Sequence, residues 1–151
     1  NEDISAHAFE SRGLLHCVVR LGARMPDLHC INVHLGLFER GRQWQVRALC
    51  ERIRRTVPRS APLIIAGDFN DWRHRANRQL IDQLAVVEVF EAIKGRPART
   101  FPSVLPLFRL DRIYVRGLDV IDARVHYAYP GRRLSDHAAL AATFELAARG
   151  T

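Results

Sequence analysis

The sequence predicts an α/β (α+β) fold, with helices covering one face of a mixed, mostly antiparallel sheet. Three observations carry that expectation. Short apolar, β-branched runs recur along the chain, bounded by Gly, Pro or charged residues. After the second run the apolar period changes to that of a helix. The resulting order is β-β-α-β-α-loop-β-β-loop-β, and a helix layer over a sheet is the smallest arrangement that buries it.

Residues 13–21 (GLLHCVVRL) form the first strand and residues 28–35 (LHCINVHL) the second. Arg24-Met25-Pro26-Asp27 between them reads as a hairpin loop. Over residues 41–57, Val46, Leu49, Cys50, Ile53 and Val57 recur at helical spacing, with Arg and Gln on the other face, and Pro58 stops the helix. Residues 62–67 (PLIIAG) form a central strand closed by Gly67. A second helix covers residues 77–84, and residues 94–108, with Pro97, Pro102 and Pro106, read as a loop. Strands follow at 110–115 and 118–127, separated by a turn at Arg116-Gly117. Tyr129-Pro130-Gly131 with Arg132 and Arg133 reads as a loop, and residues 138–146 form the last strand. Helices on one face leave the other sheet face apolar, so something further is expected to pack there.

A length of 151 residues and 48% hydrophobic content suit one domain, residues 1–151, with a core of its own. No apolar stretch approaches the roughly 20 residues that span a bilayer. Residues 1–10 lack a basic-then-apolar leader pattern and an initiator Met, which reads as a cut or processed end. Twenty-three Lys+Arg against 16 Asp+Glu give a net charge of +7, and Lys94 is the single Lys. Such a surface suits polyanions, nucleic acid or acidic lipid head groups alike, and is equally what plain solvated charge looks like. Cys17, Cys30 and Cys50 are odd in number and dispersed, so they read as buried free thiols in a reducing, cytoplasmic setting and not as a zinc site.

Polar groups gather where the strands end. Gly67-Asp68-Phe69-Asn70, Leu110-Asp111-Arg112-Ile113 and Ser135-Asp136-His137 each adjoin a strand. Carboxylates and imidazoles near a core are costly unless they meet one another, a metal or a substrate. Asp68 and Asn70, two apart on an extended segment, face one spot, while Phe69 turns into packing. The bland alternative is an Asx-turn, with Asn70 and Asp71 capping the next segment. Asp111 is the natural partner to fix the tautomer of His137, and Asp136 is a hard oxygen ligand. The bland alternatives are a surface Asp111-Arg112 ion pair and a polar loop at Ser135-Asp136-His137. His34 also ends a strand, with Asn32 two residues earlier on the same face, although a strand His is commonly a hydrogen-bonded core residue. His7, His16, His29, His74 and His126 have no such context. In Arg99-Thr100-Phe101-Pro102-Ser103, Arg99 is a candidate phosphate contact and Phe101 a stacking or packing group.

The segments INVHL (31–35), IIAGDFNDW (64–72), RLDRIYV (109–115) and LSDHAAL (134–140) resemble those of the endonuclease/exonuclease/phosphatase (DNase I-like) superfamily. The resemblance runs over residues 13–146 and, through RTFPS (99–103), is nearest to bacterial members without an assigned substrate. It implies a four-layer αββα sandwich and hydrolysis of phosphate esters with Mg²⁺ or Mn²⁺. By resemblance, Asp68 orients or deprotonates the attacking water, and Asn70 holds that water or the phosphate. His137, held by Asp111, contacts the phosphate. Asp136, with Asp68, binds metal, and His34 contacts phosphate or donates a proton. The family's earlier half supplies a metal-binding Glu and an Asn. Glu2, Asp3, Glu10 and Asp27 do not sit at the end of an apolar strand, so the match is to the C-terminal half of the domain. The expected partners are a phosphodiester substrate and either the missing half or a second copy over the bare sheet face. A nuclease-like phosphodiesterase is the first expectation and a lipid or inositol phosphate phosphodiesterase the second. A non-catalytic binding module or inactive fragment is the alternative of another class.

Overall fold

The computed structural model describes residues 2–3, 13–23, 25–127 and 135–147. Among these, a six-stranded sheet runs in the order β1-β2-β3-β4-β6-β5, and a hairpin, β7-β8, forms a second sheet. The strands are β1 (Glu2–Asp3), β2 (Gly13–Val19), β3 (Leu28–His34), β4 (Leu63–Asp68), β5 (Val87–Glu88), β6 (Asp111–Arg116), β7 (Leu118–His126) and β8 (Ala139–Leu146). The helices are α1 (Glu39–Thr56), α2 (Arg75–Leu84) and α3 (Val89–Lys94). The β3–β4 pair is parallel, joined by the α1 crossover, and the other pairs are antiparallel. The mixed, mostly antiparallel sheet read from the sequence is therefore present.

Helix α1 forms where the apolar period said, and Val46, Leu49, Cys50 and Ile53 bury against Ile31, Val33, Leu63 and Ile65. Each fully buried side chain of this size contributes on the order of 1.5–3 kcal/mol. The expectation that its Arg and Gln residues face outward holds only in part. Arg42 and Gln45 are buried. Gln45 accepts the Gly36 N–H at 2.8 Å, and Arg42 donates to the Gly36 and Leu37 carbonyls. These two side chains satisfy the backbone of the loop leaving β3, which a hydrophobic face cannot do. Glu39 in the first turn pairs with Arg42 and accepts from Gln43.

The loop at 129–133 lies outside the described residues, as does Arg24 of the first hairpin. β5 and α3 fall in a stretch without a periodic signal. Glu88 caps α3 by accepting the Glu91 N–H at 2.7 Å. Val89 and Phe90 then join Ile113, Val115 and Ala123 in a core on the sheet face opposite α1 and α2. The β7-β8 hairpin covers that core with Val120, Val125, Leu140 and Phe144. Gly117, at φ 67°, lets the chain leave β6 for the second sheet. The hairpin covers the β4–β6 side only. Toward the β2 edge the same face carries Leu15, Cys17 and Val19, in register with Asn32, Cys30 and Leu28, and these three are exposed.

Candidate active site

Three adjacent strands put His34, Asp68 and Asp111 in one row. His34 pairs with Asp68 across β3–β4, and Asp68 with Asp111 across β4–β6. All three sit at strand ends on the face that looks toward the second sheet. Alternation along β6 sends Asp111 and Ile113 to this face, and Arg112 and Tyr114 to the helix side. The surface ion pair of Asp111 with Arg112, the bland alternative, does not form for that reason. Arg112 is buried, and its Nη2 lies 3.0 Å from His74 Nδ1.

β3 and β4 approach closely because residue 67 is glycine. Its φ is 143°, and a Cβ there would lie 1.9 Å from the Val33 carbonyl oxygen. Beyond it, Asp68 closes an Asx-turn. Its Oδ1 accepts the Asn70 N–H at 2.8 Å, and its Oδ2 accepts from Asn70 Nδ2 at 3.3 Å. Asn70 also donates to the Leu35 carbonyl at 2.9 Å and adopts φ 46°, a left-handed conformation Asn tolerates. Asn70 is buried, and both amide contacts tie it to its neighbours. Asp71 accepts the N–H groups of Arg75 and Asn77 and caps α2. The Asx-turn and the Asp71 cap are present alongside the polar cluster, whereas the Asn70 side chain, expected to share the cap, goes to Leu35 and Asp68 instead. Phe69 is buried and meets Tyr114 edge-to-face at 5.1 Å.

His137 Nδ1 lies 2.8 Å from Asp111 Oδ2, with both side chains about three-quarters buried or more. Burial pulls the His137 pKa down, but the Asp111 hydrogen bond and the charges of Asp111, Asp68 and Asp136 outweigh it and raise it above the ordinary value. Burial, with the charge of Asp111, raises the Asp68 pKa against the Asn70 N–H and the two histidines. His34 Nε2 is 3.6 Å from Asp68 Oδ2 and largely exposed. The geometry therefore joins Asp68, Asn70, Asp111, His137 and His34. Asp136 is exposed beside His137, and Asn32 lies one row below His34, on the same face and exposed. Arg99 is exposed and lines a separate basic cavity.

Sequence reasoning read the 99–103 segment through Arg99 and Phe101, yet its buried Thr100 and Ser103 organise the site. Thr100 Oγ1 accepts from the Asp111 N–H at 3.4 Å, and its carbonyl accepts the Ala138 N–H at 2.8 Å. Ser103 donates through Oγ to the Ser135 carbonyl, and through N–H to that of Asp136. The Phe101 ring lies 4.9 Å from the His137 ring. A small hydroxyl on either side of an aromatic-proline pair was the available signal, but its partner segment lies some 35 residues away, where spacing says nothing.

A carboxylate-histidine pair thus sits beside a second, partly buried carboxylate at the ends of adjacent sheet strands. The chain belongs to the Endonuclease/Exonuclease/phosphatase family, whose model matches residues 4–137. It is 42% identical over 146 residues to the uncharacterized protein YbhP of Escherichia coli K12, covering 97% of this chain and 57% of that protein. The chain thus spans little more than half the length of this curated relative. The fold is similar to the endonuclease/exonuclease/phosphatase from Bacteroides vulgatus, with TM-score 0.76, 20% identity, 91% of this chain and 56% of that one covered. It is also similar to D. rerio TDP2 complexed with single strand DNA product, with TM-score 0.70, 23% identity, and 89% and 62% covered. The superfamily resemblance read from the four segments is therefore correct.

Proposed function

We propose that this protein is a divalent-metal-dependent phosphoesterase that hydrolyses phosphodiester bonds. The observation that carries the reading is the row His34–Asp68–Asp111 with His137 bonded to its end. Asp68, its pKa raised by burial, accepts a proton from the attacking water. Asn70 fixes the carboxylate through two hydrogen bonds and borders the water or phosphate. Asp111 holds Nδ1 of a cationic His137, which leaves Nε2–H for a phosphate oxygen. Exposed His34 contacts the phosphate or donates a proton to the leaving oxygen. Asn32 and Arg99 would bind substrate further out. Water adds to phosphorus as the ester P–O bond breaks, and the leaving oxygen takes a proton.

Among the described residues no group of three or more His, Cys, Asp or Glu side chains is disposed to hold a metal ion by itself. Mg²⁺ or Mn²⁺ is commonly held by one or two carboxylates, with water and substrate oxygens completing the shell. Asp68, at the end of β4, and Asp136, exposed beside His137, are the carboxylates that would supply that donor set. The cation would neutralise charge developing on the phosphoryl oxygens.

The exposed Leu15, Cys17 and Val19 support a further part of the proposal: this chain is the C-terminal portion of a longer domain, completed by an upstream half or by a second copy. Light scattering over a concentration series tests it, since a well-folded monomer at all concentrations refutes the bare-face argument.

In the intact protein, Asp68→Ala and His137→Ala should each abolish hydrolysis of a soluble phosphodiester while the circular dichroism spectrum is kept. Activity retained in both ends the assignment. Absence of any heat on Mg²⁺ titration would favour the non-catalytic module. Two substrate classes fit the reading, a nucleic acid strand, as in a nuclease, and a lipid or inositol phosphate.

A further inference from the structure

The loop that pins the site carries an apolar tip. Phe101 and Phe108 pair antiparallel, with N–H···O contacts of 3.2 and 2.8 Å, and Leu105 N–H closes a turn on the Pro102 carbonyl. Ser103 and Phe101 point inward, onto the Ser135–His137 segment. Val104, Leu105, Leu107 and Phe108 point out and are exposed, Leu105 by 64%. The exposed Trp72, two residues past Asn70, meets Phe108 edge-to-face at 4.7 Å. Phe38, beyond the end of β3, is 66% exposed at the same end of the sheet. Scattered exposed apolar residues are ordinary, but a cluster on the loops bordering one site marks an interaction surface.

Cations flank the base of this loop. Arg99 and Arg109 lie just outside the Phe101–Phe108 pair, and with Lys94, Arg96, Arg124 and Tyr127 they line a cavity of about 680 Å³. Arg124 pairs with Asp122. Burial and the neighbouring Arg99, Arg112 and Arg96 lower the Arg109 pKa, as expected where positive charge accumulates. A hydrated sugar-phosphate backbone offers nothing to Val and Leu side chains. Aliphatic and aromatic tips beside Arg are what an acyl-headgroup boundary takes up.

We propose that the apolar tip of loop 101–108, with its basic flanks, docks the protein on a bilayer containing anionic phospholipid, so that the candidate site meets a phosphodiester in a lipid head group. The substrate part of this inference rests on the phosphodiesterase reading, whereas the docking part stands without it.

The test is flotation of the intact protein with vesicles of phosphatidylglycerol in phosphatidylcholine, and with vesicles of phosphatidylcholine alone. Hydrolysis of soluble bis(p-nitrophenyl) phosphate is measured in parallel. The protein should float with the anionic vesicles only, and added salt should weaken this. Leu105→Ser/Leu107→Ser should bind them at least about ten-fold more weakly, since two leucyl side chains no longer leave water. Its circular dichroism and soluble hydrolysis should be unchanged. In a background that keeps Trp72 as its sole tryptophan, emission should shift to the blue on the anionic vesicles. Equal binding by the double variant, or no vesicle binding by the folded protein, overturns docking. Binding to single-stranded DNA that the double variant loses, without vesicle binding, overturns it in favour of a nucleic acid strand. Vesicle binding without soluble hydrolysis supports docking and overturns the phosphodiesterase reading.

Discussion

Replacing Gly67 by Ala should separate β3 from β4 at the point where the site row forms. The added Cβ would sit 1.9 Å from the Val33 carbonyl oxygen and 2.9 Å from its carbon, where ordinary contact begins at 3.4 Å. No rotamer relieves this, because every clashing atom belongs to the backbone. The strands must part by more than an ångström, or residue 67 must leave φ 143°. Either movement strains the Leu35 N–H to Asp68 carbonyl bond, now 2.8 Å, and the ladder bonds beside it. Two or three such bonds at about 1 kcal/mol each, with about 1–2 kcal/mol of conformational strain, give a loss of about 4 kcal/mol. Against a typical stability of about 5–15 kcal/mol this lies in the tail of single substitutions. Urea unfolding of the intact protein followed by tryptophan fluorescence is the assay. A slope of about 2 kcal/mol per molar puts the midpoint roughly 2 M lower. A midpoint within about 0.5 M of wild type would refute the reasoning, because backbone contact at 1.9 Å would then have been absorbed without cost.

Other substitutions probe the site and its supports. In metal-free buffer, proton NMR should find His137 titrating above 6.5, and Asp111→Asn should lower that midpoint, because the hydrogen bond and charge that outweigh burial are gone. Since the folded pKa is the raised one, the stabilisation from this pair is complete below the unfolded pKa and fades as pH rises through the folded value, so the stability gap between wild type and Asp111→Asn should narrow on raising pH; unchanged midpoints would falsify the pairing. Asp71→Ala removes two acceptors from the start of α2 and should cost about 1–2 kcal/mol in unfolding experiments while hydrolysis per folded molecule persists; loss of activity at full stability would mean that Asp71 does more than cap. Burial pushes the Cys50 thiol up to about 11, so a disulfide reagent at neutral pH should spare Cys50 until the protein unfolds.

The legible parts of this protein were local ones. β2, β3, α1, β4, β6, β7 and β8 lie within a residue or two of where the apolar runs placed them, because each run carries its own period and its own stop. The polar strand ends were legible too, since Asp68, Asp111 and His137 interrupt apolar segments in which a charge is expensive. Segments with weak periodicity were not. β5 and α3 form because Val89 and Phe90 are wanted in the core under the hairpin, a demand the local sequence does not express.

Register was beyond reach of the chain read alone. Whether Asp111 or Arg112 joins Asp68 turns on a one-residue choice in pairing β6 with β4, and such a slip exchanges the two faces. Packing makes that choice: Ile113 and Val115 bury beneath the hairpin, while Tyr114 buries beneath α2 with its hydroxyl on Asn77. Thr100 and Ser103 likewise acquire their duties only once the 135–138 segment is folded against them. Alternation and turns are written residue by residue, whereas the meeting of distant side chains is a property of the packed whole, and here it is the packed whole that brings His34, Asp68, Asp111 and His137 into reach of one another.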